Sequence, residues 1–154
     1  MVGDSILYDV VPSLARLGFQ ADAMVCRQFS QGLMLLAQRG ASLPHLVVLE
    51  LGTNGTVTGA QIDQALAILG PHRLLGLITP HDGVVPSDIG TMLAAQRRHP
   101  RQILILDWNR LASAHPYWLS GDGIHLSGEA AIAGFAQMVA TLLPYAPWPP
   151  CLVR

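Results

Sequence analysis

Three side chains that together could hydrolyse an ester stand at opposite ends of the chain: Ser5 near its start, Asp122 and His125 near its end. Serine is a poor nucleophile until a base removes its proton, and a histidine base works best when a carboxylate holds it in one tautomer. Asp122 and His125 share the turn Gly121-Asp122-Gly123-Ile124-His125. That spacing lets the carboxylate accept from one ring nitrogen while the other faces a serine. Asn54, in Gly52-Thr53-Asn54-Gly55, can donate to a developing oxyanion, an interaction felt mainly in the transition state. Each residue also has an ordinary reading. Ser5 can be a plain helix cap, Asp122-Gly123 and Asn54-Gly55 plain turns, and His125 a capping or surface histidine. Their joint placement along the fold decides between the two accounts.

Ser5–Leu17 reads as a helix from Ile6, Val10, Leu14 and Leu17, with Pro12 as a kink and Gly18 as a stop. Phe19–Val25 reads as a short strand, and Gln31–Gln38 as a helix with Ser30 as cap and Gly40 as terminator. Leu46–Leu51 is a continuous apolar run suited to a central parallel strand, in which Glu50 is the exception and needs a partner. Thr58 caps a helix over Ala60–Leu69; Arg73–Thr79 is a strand, and a loop runs from Pro80 to Pro86. Ser87–Arg98 is a helix with Asp88 in its first turn, Gln102–Asp107 a strand, and Trp108–Asp122 an irregular stretch. Ser127–Leu143 is the last helix, capped by Ser127, and Tyr145–Arg154 is a Pro-rich tail. Only Met1 and Val2 precede Gly3, so the first strand is abbreviated or the chain is a domain cut from a longer protein.

This order predicts an α/β fold: three layers, doubly wound and flavodoxin-like, with a five-stranded parallel sheet. Ligands of such folds sit at the carboxyl ends of the strands. Asp4-Ser5, Gly52–Gly55, His81-Asp82 and Asp107–Asn109 each follow a strand, and 121–125 opens the last helix, so all fall on one rim. The serine would then sit among the free N–H groups of a helix's first turn, with the macrodipole favouring an oxyanion.

With 154 residues, residues 1–154 are expected to form one domain with its own core. Hydrophobic residues make up 51%, charged residues 12%, and the net charge is -1. A disordered module is excluded by that balance, and no nucleic acid is expected as a partner. The six histidines show no HxH or HExxH spacing and no cofactor motif is present, so neither metal nor cofactor is expected. Leu33–Ala37 and Leu46–Leu51 are far too short to span a membrane. Cys26 and Cys151 could pair across the termini if the protein is exported, but unpaired thiols are the preferred reading, with Cys26 a small buried hydrophobe.

In its motifs the chain resembles the SGNH (GDSL-type) hydrolase superfamily. Gly3-Asp4-Ser5, Gly52-Thr53-Asn54 and Asp122-Gly123-Ile124-His125 match three of the family's blocks, in the family's order and over nearly the whole length. The resemblance implies a catalytic Ser5, Asp122, His125 and Asn54, with the Ser5 N–H and the Asn54 amide in an oxyanion hole. The remaining block aligns with Cys26-Arg27-Gln28, where a cysteine replaces the family's glycine; it implies a Cys26 N–H donor unless the position needs a positive φ. Asp22–Gln28 and Leu49–Gly55 are further similar to the SGNH domain of acyltransferase-3-type peptidoglycan O-acetyltransferases. That similarity implies an acyl ester substrate on peptidoglycan or another acetylated glycan, and an upstream membrane acyltransferase domain as partner. An excised domain of this kind would be periplasmic or extracytoplasmic, and otherwise the chain is cytoplasmic. Arg27 is then either a contact for a substrate carboxylate or sugar oxygen or an exposed surface arginine. Trp108, Tyr117 and Trp118 are either a sugar-stacking rim or packing residues. The alternatives are a general carboxylesterase and an inactive binding domain on the same fold.

Overall fold

The computed structural model describes residues 1–81 and 86–146, with 86 and 87 described by backbone alone. Asp82, much of the loop before Pro86, and Trp148–Cys151 lie outside the described residues. Five strands, β1 (Val2–Gly3), β2 (Asp22–Ala23), β3 (Leu46–Glu50), β4 (Leu74–Ile78) and β5 (Ile103–Leu106), form one sheet in the order β2-β1-β3-β4-β5. Every pairing is parallel. The expected doubly wound α/β fold is thus observed.

Side chains alternate along β3 and divide the core in two. Val47, Leu49 and Leu51 pack with Phe29, Leu33, Ile62, Leu66 and Met92, which belong to α3 (Phe29–Arg39), α4 (Gly59–Leu69) and α5 (Pro86–Arg98). Leu46 and Val48 pack on the other face with residues of α1 (Ser5–Tyr8), α2 (Val11–Arg16), α6 (Trp108–Ala114) and α7 (Gly128–Ala140), including Leu7, Leu14, Trp108 and Phe135. Two apolar layers on one sheet give the three-layer arrangement. Among the described residues no helix is long and apolar enough to cross a membrane.

Several elements differ from their sequence expectations for local reasons. The helix expected over Ser5–Leu17 is two pieces, Ser5–Tyr8 and Val11–Arg16. Pro12 has no N–H for the Tyr8 carbonyl four residues back, so the ladder stops and restarts. β2 is two residues rather than seven, because only Asp22 and Ala23 find partners on the equally short β1. α3 begins at Phe29, capped by Gln28 in a reciprocal box with Gln31 instead of by Ser30. The stretch Trp108–Asp122, expected to be irregular, holds α6 and a 3-10 turn at Pro116–Trp118. Its signal was an Asp107 cap, which accepts from the Arg110 N–H at 3.1 Å. The last helix is Gly128–Ala140, and Ser127 holds its N-cap position without a side-chain hydrogen bond.

β1 leaves no room for side chains where it meets α1. A Cβ on Gly3 would lie 2.6 Å from Leu7 Cβ and 2.8 Å from Glu50 Oε2. Gly3→Ala should therefore destabilise the fold by about 1–3 kcal/mol, the usual cost of overpacking, read as a shift in the urea midpoint at unchanged slope.

Candidate active site

The carboxyl ends of β1 and β3 lie side by side, since Gly3 pairs with Glu50. Ser5 begins α1 two residues after that pair. His125 and Asp122 arrive from the far end of the chain on a loop between the 3-10 turn and α7. That loop is a small closed structure of its own: Leu119 bridges Leu126, the Ser120 N–H donates to His125 O at 2.8 Å, and the Ser127 N–H donates to Trp118 O at 2.7 Å. Within it the Gly123 N–H donates to Ser120 O at 2.9 Å, and Gly123 has φ 71, which suits glycine.

Ser5 Oγ lies 3.0 Å from His125 Nε2, and His125 Nδ1 lies 2.7 Å from Asp122 Oδ2. A carboxylate on Nδ1 places the proton there and leaves Nε2 free to accept from the serine hydroxyl. Asp122 Oδ1 accepts from Ser120 Oγ at 2.7 Å and from the N–H groups of Ile124 at 2.9 Å and His125 at 3.0 Å. These donors, with the His125 ring bond first among them, hold the Asp122 carboxyl far below the usual carboxylate range. Asp122 is thus an anion wherever the fold survives, fixed on both oxygens. Ser120 was not singled out in the sequence; an Ser-x-Asp pair in a turn was its only signal.

Asn54 Nδ2 donates to Asp4 Oδ2 at 3.0 Å, and Asp4 Oδ1 accepts the Ile6 N–H at 3.0 Å. Asp4 is 0% exposed and Glu50 2%. The Asp4 N–H is shared between Glu50 O at 3.2 Å and Glu50 Oε2 at 3.1 Å. The partner that Glu50 required inside its apolar strand is therefore the residue before the serine. Complete burial, and then the charge of Asp4, push the Glu50 carboxyl well above its ordinary value. Burial also raises Asp4, but the hydrogen bonds from Ile6, Asn54 and Glu50 oppose the rise. Of the two carboxyls, burial favours the neutral form most strongly at Glu50.

The second loop departs from expectation. Arg27 is neither an exposed arginine nor free for substrate: it is 5% exposed. Its Nη1 donates to Gly3 O at 3.0 Å and to Asp22 O at 2.6 Å, and its Nη2 to Asp22 Oδ1 at 2.7 Å. Arg27 ties the loop after β2 to the end of β1. Cys26 is exposed rather than buried, at φ 59, the one described non-glycine residue with a positive φ. A glycine would suit that conformation without strain. Of the two readings of the aromatics, packing holds for Trp108 and Trp118. Trp108 is 1% exposed. Trp118 is stacked on His115 at 4.0 Å between ring centres and packs where a Gly134 side chain would otherwise be. Only Tyr117, 70% exposed, is open to a ligand. Further along the rim His81 Nδ1 meets Asn109 Oδ1 at 2.9 Å, and Thr79 Oγ1 donates to Asp107 at 3.1 Å.

Two outcomes follow. Cys26→Gly relieves roughly 1–2 kcal/mol of left-handed strain and adds about 0.5–1 kcal/mol of unfolded-chain entropy, so the melting temperature should rise by a few degrees; calorimetry checks it, and a fall would show that the thiol packs usefully. For Glu50 the sign is set by burial. A carboxyl whose folded pKa is raised keeps a proton that the unfolded chain releases above its ordinary value of 4.5, so stability falls as pH rises through that window. Glu50→Gln has no such proton, and its stability relative to the parent should improve by on the order of 1.4 kcal/mol per pH unit within that window. Urea unfolding of both proteins at pH 5 and pH 8 measures the difference, and a constant gap would rule out the protonated Glu50.

No protein-family model matches the chain. Among curated proteins, YrhL of Bacillus subtilis is 31% identical over 135 residues, covering 84% of this chain and 21% of its own length. Peptidoglycan O-acetyltransferase OatA of Listeria monocytogenes is 26% identical over 145 residues, covering 92% of this chain and 23% of its own. The chain thus spans about a quarter or less of the relatives it matches. Among solved structures, the C-terminal catalytic domain of peptidoglycan O-acetyltransferase A from Streptococcus pneumoniae superposes with a TM-score of 0.79 at 23% identity, covering 94% of this chain and 91% of that one. A lipase/acylhydrolase of Enterococcus faecalis gives 0.70 at 18% identity, with 95% and 96% covered. The chain is thus similar in sequence to a stretch of curated O-acetyltransferases, and it shares its fold with the catalytic domain of a peptidoglycan O-acetyltransferase and with a lipase/acylhydrolase.

Proposed function

We propose that the chain is a serine esterase or acyltransferase that moves acyl groups, acetyl above all, on cell-wall sugars through an acyl-enzyme. The observation that carries this reading is the unbroken line from Asp122 Oδ2 to His125 Nδ1 at 2.7 Å and from His125 Nε2 to Ser5 Oγ at 3.0 Å. In the forward step His125 Nε2 takes the hydroxyl proton as Ser5 Oγ bonds to the ester carbonyl carbon. The carbonyl electron pair moves onto oxygen, where the Ser5 N–H, the second Asn54 amide hydrogen and, because Cys26 itself takes up the glycine-like φ of 59, the Cys26 N–H are the candidate donors. The proton on His125 then passes to the leaving alcohol as the tetrahedral intermediate collapses. Water or a sugar hydroxyl reverses the sequence to release the acyl group.

Two features favour a glycan over a lipid. The His125 and Asp122 side chains are 45% and 48% exposed, so the nucleophile meets its substrate in the open and not in a deep apolar slot. A polymer-borne acetyl group suits such a rim, with Tyr117 the exposed aromatic nearest in sequence to Asp122. The homologous catalytic domain from Streptococcus pneumoniae is that of a peptidoglycan O-acetyltransferase, which supports the same class of substrate. By the same analogy the partner is an upstream membrane acyltransferase domain, and the site of action is extracytoplasmic.

Single-turnover release from aryl acetate and longer aryl esters tests the reading. The parent should show a burst that is largest for acetyl and altered by added chito-oligosaccharide. Ser5→Ala should lower the rate by about 10³-fold or more and Asn54→Ala by about 10²-fold. A burst that grows with chain length would favour a general carboxylesterase; no Ser5-dependent release would favour an inactive binding domain.

A further inference from the structure

Asn54 sits in a loop that cannot orient it. Gly52 and Gly55 flank it, each at φ 141, and a side chain on so permissive a backbone is held only by what it touches. What it touches is Asp4, through Nδ2 at 3.0 Å. Using one amide hydrogen there leaves the other for an oxyanion. Asp4 in turn is bonded by the Ile6 N–H on Oδ1, and its own N–H rests on Glu50. Glu50 belongs to neither catalytic chemistry nor solvent: it lies in the central strand at a position where the neighbouring Leu49 and Leu51 are apolar. A buried acid there needs bonds to offset the loss of water; its carboxyl accepts the Leu7 N–H and, at 3.1 Å, the N–H of Asp4, the residue that holds Asn54.

We infer that Glu50 is a positioning residue for the oxyanion donor: with Asp4 it forms a buried brace that fixes the Asn54 carboxamide in the orientation the transition state requires. This rests on the serine-esterase reading above for its consequence in catalysis, while the brace itself is a matter of geometry. Burial favours the neutral form of Glu50, and a neutral carboxyl can donate to Asp4 as well as accept from it. Charged or titratable groups that bear on this pair are each other and His125, which lowers Asp4. Removal of Glu50 frees Asp4 to tilt, and Asn54 follows it, while the serine, histidine and Asp122 keep their own contacts. The effect therefore falls on the transition state and not on substrate binding.

The test is a double-mutant cycle on the 154-residue chain, with acylation by an aryl acetate as the rate and the Asn54 carboxamide signals in the ¹H–¹⁵N spectrum as a second readout. Glu50→Ala should lower kcat by about 30-fold with KM within about two-fold, and by less than about three-fold once Asn54 is already alanine. Glu50→Gln, which can both accept the Asp4 N–H and donate to its carboxylate, should restore the rate to within about three-fold of the parent. In the spectrum the Asn54 carboxamide should shift in Glu50→Ala and stay in place in Glu50→Gln. Equal losses in the parent and Asn54→Ala backgrounds would overturn the brace, since the effect would not pass through Asn54. Should Glu50→Ala fail to fold, Glu50→Leu takes its place with the same expectations. If the parent shows no Ser5-dependent acylation, the esterase reading fails by itself; the brace then stands or falls on whether the Asn54 signal moves in the alanine or leucine variant.

Discussion

The site depends on a two-residue strand. Val2–Gly3 runs between β2 and β3, paired in parallel with both, and its register against β3 places Gly3 beside Glu50. Everything that follows is measured from that pairing. Asp4 comes next and turns its N–H onto Glu50 and its carboxyl toward Asn54; Ser5 comes after and starts α1. No side chain fits at Gly3, because Leu7 and Glu50 already fill the space. So short a strand is held by more than its ladder: Arg27 bonds the Gly3 carbonyl from the buried side of the neighbouring loop, and Leu7 seals the other face.

Two carboxyl groups near the serine behave in opposite ways, for reasons of environment. Asp122 is exposed, with ring, hydroxyl and backbone donors on its two oxygens, and those donors stabilise its charge. Glu50 is enclosed in the sheet beside another carboxyl, and both conditions favour its neutral form. One acid orients the base by being charged; the other can support Asp4 by not being charged. The same side-chain chemistry is divided by hydrogen-bond donors at Asp122 and by burial beside a second carboxyl at Glu50.

Much of this was legible before any coordinates. Ser5, Asn54, Asp122 and His125 stood out because each polar cluster followed a strand or opened a helix, and a doubly wound sheet gathers such points on one rim. The alternation of apolar runs with helical periods gave the layer order as well. What failed was where tertiary contact overrides local pattern. Trp108 could be read as a sugar rim or as packing, and its place in the core against Phe135 decides for packing. Arg27 could be read as a substrate contact or as a surface arginine and is neither, because Asp22 and the Gly3 carbonyl satisfy it in the interior. Cys26 looked like a small core hydrophobe and is exposed in a left-handed turn, since a turn's φ cannot be read from a residue that disfavours it.

By itself, then, the sequence determined the candidate chemistry and its order along the chain: a candidate nucleophile first, a candidate amide donor in the loop after the central strand, and a candidate acid and base three apart at the end. It also determined the fold class, because hydrophobic periodicity is a local property written in consecutive residues. Only the tertiary structure decided that 120 positions of separation close to 3.0 Å between Ser5 and His125, and that the Asp4 N–H rests on the Glu50 carboxyl behind Asn54. Those facts come from strand register and loop closure, which depend on the packing of distant segments and leave no trace in local pattern. Glu50 marks the boundary between the two: an acid within an apolar strand announced that a partner was needed, and the parallel pairing of β1 with β3 supplied it.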